Sequence, residues 1–85
     1  MMGTAERRLE IGRTLDLARE SGIRIKGKEI AARYNISIKT VEKDIQVLET
    51  LEYVVSKHGG FHGGYKLEEP APTLDYLLMN REKAS

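Results

Sequence analysis

Lys39 and Lys43 lie four residues apart, with Ser37, Ile38 and Thr40 beside them. On a helix, that spacing puts both ammonium groups on one face. Two such charges with neighbouring hydroxyls can hold anionic oxygens, and a lysine can also donate to guanine O6/N7. Glu42 stands among them as an acceptor-only group. It reads as a solvent-facing or ion-paired carboxylate, and cytosine N4 is the base donor it could accept from. A second basic set surrounds residue 60, where Lys57, His58, His62 and Lys66 flank the pairs Gly59-Gly60 and Gly63-Gly64. Protonation of the histidines near pH 6.5 would strengthen contact with phosphate.

Other chemistries are less well served. His58 and His62 sit in a glycine loop rather than on a rigid helix face, and the chain has no cysteine, so no metal site is expected. The glycines lack the Lys-Ser/Thr of a phosphate-cradling loop. Nothing frames a nucleophile with its base and orienting group, so neither an enzyme nor a cofactor is expected.

The set around Lys39 needs a helix beneath it. Val41, Ile45, Leu48 and then Leu51 or Glu52 recur at intervals of three and four, which is an amphipathic stripe. It predicts a helix over residues 37–51 with Ser37 as N-cap. A preceding helix, from residue 27 or 28 to 34, would bury Ile30, Ala31 and Tyr34. Asn35 ends it, because asparagine tolerates the left-handed backbone. The first helix is expected over residues 4–21, capped by Thr4, with Ile11, Leu15 and Ala18 inward and Gly22 as its stop. Ile23-Arg24-Ile25 alternates like a short strand. Residues 52–57 and 65–67 read as the two strands of a hairpin. Residues 73–83 could form a short helix, with Leu74, Leu77 and Leu78 at helical spacing.

Two helices crossing steeply over a three-residue turn need a small residue at the crossing, a residue tolerant of positive φ, and an apolar anchor in the second helix. Ala31, Asn35 and Val41 supply these in order, with Ile36 between. This is the packing requirement of a helix-turn-helix. The second helix of such a pair offers its N-terminal outer face to the major groove, which makes double-stranded DNA the expected partner. Asp44 reads as a structural ion-pair partner, with Arg33 as its candidate cation.

Residues 28–49, from Lys28-Glu29-Ile30-Ala31 through Ser37-Ile38-Lys39-Thr40-Val41-Glu42-Lys43-Asp44-Ile45, resemble the DeoR-type winged helix-turn-helix of bacterial transcriptional regulators. The closing Gly63-Gly64-Tyr65-Lys66-Leu67 matches a strand common in related winged-helix regulators. The resemblance spans roughly residues 7–67. It implies a three-helix core with a wing lying along the DNA backbone or in the minor groove, contacting it through Lys57, His58, His62 and Lys66. That family usually carries two basic residues before the aspartate; here the first is Glu42.

The expected fold class is therefore α+β, mainly α: a three-helix bundle with a two- to three-stranded β-wing plus a short C-terminal helix. Residues 4–67 would form the winged helix-turn-helix domain and residues 68–85 a tail. A chain of 85 residues makes a thin core, which pairing with a second copy would help stabilise. Leu74, Leu77 and Leu78 are the candidate dimerisation residues, with Leu9, Leu17 and Tyr76 as neighbours. Residues 1–67 hold 12 Lys/Arg against 9 Asp/Glu, or +3; residues 68–85 hold 2 against 4, or −2. This bias is weak for a nucleic-acid binder. No apolar run approaches a membrane span, so no membrane partner is expected and the location is expected to be cytoplasmic. No small-molecule effector domain is expected within this chain.

Overall fold

The computed structural model describes residues 2–59 and 63–72. His62, Tyr76, the candidate dimerisation residues Leu74, Leu77 and Leu78, and the expected C-terminal helix lie outside them. Three helices precede a two-stranded antiparallel sheet: α1 (Thr4–Glu20), α2 (Gly27–Tyr34), α3 (Ile38–Thr50), β1 (Val55–His58) and β2 (Gly64–Leu67). This is the expected winged helix-turn-helix. Among the described residues, no helix is long and apolar enough to cross a membrane.

The helix ends follow local backbone chemistry. Gly3, not Thr4, occupies the N-cap of α1, without a side-chain cap bond. At the other end Gly22 takes φ +69°, and the amides of Gly22 and Ile23 return to the carbonyls of Arg19 and Ala18. This double return satisfies the last carbonyls of the helix. Asn35 adopts φ 54°, ψ 50° after α2, as expected. The C-terminus of α3 repeats the arrangement of α1 with a non-glycine residue. Glu52 takes φ +74°, its amide bonds Glu49, and Tyr53 bonds Leu48. The chain therefore turns at residue 52, and the strand begins at Val55 rather than at Glu52.

One core joins all the elements. Ile11 and Leu15 of α1, Ile30 and Ala31 of α2, Val41, Ile45 and Leu48 of α3, Tyr53, and Leu67 of β2 are buried together. Gly12 gives α1 close approach to Tyr53: an added Cβ would lie 2.7 Å from that ring's Cε2. The expected strand at residues 23–25 contracts to a single bridge, with Ile25 exchanging both backbone hydrogen bonds with Tyr65 at 2.9 and 2.8 Å. Gly64 makes this junction possible. Its φ is +135°, and a Cβ there would lie 2.7 Å from the Ile25 carbonyl oxygen.

Candidate nucleic-acid interface

Asn35 turns the chain, and Ile36, half-buried against the core, carries it to Ser37 at the start of α3. Ser37 Oγ accepts the Thr40 amide at 3.0 Å and lies 2.9 Å from Thr40 Oγ1. The expected cap is thus in place, and it ties Thr40 down half-buried. Val41, Ile45 and Leu48 hold the inner face of the helix. Ser37, Ile38, Lys39, Glu42, Lys43 and Gln46 are left exposed.

Asp44 is the exception, a charged residue with no exposed surface. Arg7 grips it through Nε to Oδ2 at 2.7 Å and Nη2 to Oδ1 at 2.9 Å, and Arg8 adds Nε to Oδ1 at 2.8 Å. Burial alone would raise the pKa of Asp44. The hydrogen bonds and charges of the two guanidiniums outweigh it and hold the carboxyl below its ordinary value. The expected structural role stands, but the partner is not Arg33. That guanidinium lies 6.0 Å from the ring centroid of Tyr34 instead.

The wing divides its residues between two faces. Its register pairs Val55 with Leu67, Ser56 with Lys66, Lys57 with Tyr65 and His58 with Gly64. Directly paired residues share a face, and alternate residues point the same way. Val55, Lys57, Tyr65 and Leu67 therefore form the inner face, while Ser56, His58 and Lys66 belong to the outer one. Arg24 donates to Ser56 Oγ on that outer face at 2.9 Å. Lys57 reaches back to α3, its Nζ 3.0 Å from Glu49 Oε1.

A cleft of about 620 Å³ opens between the wing, the start of α2 and the start of α3. Lys57 and His58 line it, as does Ile38, so the structure gathers these three expected residues in one place. Lys39 and Lys43 sit on α3 outside it, and Lys66 is not in its lining. Sequence reasoning missed three further members: Lys26, Lys28 and Tyr65. The two lysines flank Gly27, the first residue of α2, which was the available signal for them. Tyr65 comes within 3.5 Å of where a Cβ on Gly27 would lie, a contact only the folded chain creates.

A family model described as an HTH domain matches residues 12–66. Neither a curated protein nor a solved structure matches the chain.

Proposed function

The chain belongs to the HTH domain family, and on that premise we propose that it is a cytoplasmic, sequence-specific transcriptional regulator of double-stranded DNA. The first turns of α3 enter the major groove, where Ser37, Ile38, Lys39, Thr40 and Lys43 meet phosphates and base edges. The wing, residues 57–66, follows the adjacent backbone or minor groove through Lys57, His58, His62 and Lys66. The observation that carries this reading is the joint itself. A left-handed Asn35 and a capping Ser37 present a rigid helix start whose Lys39 and Lys43 are both solvent-exposed. Lys26, Lys28 and Lys57 in the lining of the cleft supply further cations toward a sugar-phosphate strand, and His58 lies beside them.

The protein would act as a homodimer on two half-sites about one helical turn apart. Leu74, Leu77 and Leu78 are proposed as the pairing residues. Support comes from the point of departure of the tail: the Ala71 amide donates to Asp16 Oδ1 at 3.1 Å. That brings the chain to α1 at Asp16, whose neighbour in sequence, Leu17, is 68% exposed.

Selection of bound sequences from a random duplex pool, with affinity followed against salt, tests the proposal. Duplex binding should weaken steeply as salt rises, because phosphate contacts release counterions. An enriched motif with a two-fold repeat is expected. Absence of duplex affinity in low salt would refute the reading. It would favour a winged helix that docks on a protein, for which the net charge of only +1 is the specific argument.

A further inference from the structure

Glu42 has no role in the interface described above. It is exposed on α3, directly before Lys43 and three residues after Lys39. The other carboxylates in the body of that helix are engaged, Asp44 by Arg7 and Arg8 and Glu49 by Lys57. Glu42 forms no ion pair among the described residues, so the ion-paired alternative for it finds no partner there. Its charge acts on Tyr65, whose phenol is pushed up by burial and then by Glu42 and Glu49, against the opposing pull of Lys57. Tyr65 and Ile38 both line the cleft. Glu42 lies one helical turn after Ile38 of the cleft lining and shares the exposed side of α3 with Lys39 and Lys43.

An unpaired carboxylate there is repelled by phosphate. It is tolerated best where it accepts a hydrogen bond, and a carboxylate can only accept. In the major groove guanine shows two acceptors, and thymine an acceptor and a methyl group. Adenine shows a donor beside an acceptor, and cytosine shows its N4 donor. Only cytosine offers a donor without an acceptor beside it on the same base.

We infer that Glu42 is a specificity-determining residue that accepts from cytosine N4 and rejects the other bases at that position. The inference rests on the DNA-binding reading above. It adds a discriminating function to a residue whose charge lowers affinity.

The test runs the pool selection in parallel on the unmodified protein, Glu42→Ala and Glu42→Gln. The unmodified protein should require cytosine at one position of its motif, and replacing that base should weaken binding by about tenfold. Glu42→Ala should lose the preference at that position alone and should bind unrelated duplex more tightly. Glu42→Gln, which both donates and accepts, should shift the preference toward adenine. An unchanged motif in Glu42→Ala overturns the inference and leaves the DNA reading intact. Duplex binding without sequence preference in the unmodified protein overturns the inference together with the sequence-specific part of that reading, and leaves only duplex binding standing. No duplex binding at all removes both.

Discussion

Arg7 closes on Asp44 across 37 residues of sequence with two hydrogen bonds, one to each carboxylate oxygen. The start of α1 is thereby bound to the middle of α3. Arg8 shares Oδ1, so a single buried carboxylate organises two cations behind the helix whose opposite side faces solvent.

Breaking this cluster should be costly, since it leaves guanidiniums without their counter-charge. Removing one partner of a buried pair costs about 3–5 kcal/mol. Arg7 and Arg8 retain 16% and 24% side-chain exposure, so water can recover part of that loss. Asp44→Ala should therefore destabilise by about 3 kcal/mol in urea unfolding. The pH dependence has a definite sign. The folded carboxyl lies below its ordinary value, so its contribution is complete above the unfolded pKa, near 4. It disappears as pH falls through the lowered folded value. Acid titration of stability should show this loss, and Asp44→Asn should abolish it while being less stable at neutral pH.

Glu52 should be replaceable to advantage. Its φ of +74° is a conformation that costs an L-residue about 1 kcal/mol and glycine little. Glu52→Gly should raise stability by up to about 0.5 kcal/mol in chemical denaturation, after allowing for glycine's greater freedom in the unfolded chain. A loss of stability there would show that the exposed Glu52 side chain contributes more than its backbone costs.

Gly12→Ala sets two effects against each other. Alanine is favoured over glycine inside a helix by about 1 kcal/mol. Its methyl group would meet Tyr53 at 2.7 Å, and that ring is only 7% exposed, with little room to withdraw. Overpacking typically costs about 1–3 kcal/mol. The expected result is a net loss of about 1 kcal/mol, visible as a lower Tm.

The lysines should differ in their effect on duplex binding. Lys43 is exposed and forms no ion pair among the described residues, so Lys43→Ala should weaken binding by about tenfold. Lys57 is already held by Glu49, so Lys57→Ala should cost less. Glu49→Gln releases Lys57 and removes a repelling charge, and should tighten binding. Because that pair is largely exposed, stability should change by less than about 1 kcal/mol. Fluorescence anisotropy with a fixed duplex at two salt concentrations distinguishes these outcomes. Equal effects for Lys43 and Lys57 would contradict the assignment.

The helix-turn-helix joint was legible from the chain because its determinants are local. Asn35 and Ser37 act on their own backbone, and Ala31 and Val41 act within two turns of it. Apolar spacing likewise located α3 to within a residue at each end. What escaped depended on distant packing. No local rule distinguishes Arg7 and Arg8 from Arg33 as the cations of Asp44. Glu52 looked like strand because nothing in its side chain announces a left-handed turn. The sides taken by Lys57 and Lys66 follow from strand register, which composition does not reveal. The cleft is less legible still, since Lys26, Lys28 and Tyr65 join it only when the wing closes on the start of α2.

The wing's pairing has one more implication. Leu67 is completely buried on the same side that carries Lys57 and Tyr65, and Ile25 grips Tyr65 by both backbone bonds. An extra residue spliced between Gly64 and Tyr65 would invert every side chain downstream, if pairing resumed past it. Lys66 would then be driven toward the interior and Leu67 out into water. The strand can exchange side chains on its outer side with little penalty, but its length admits no such freedom.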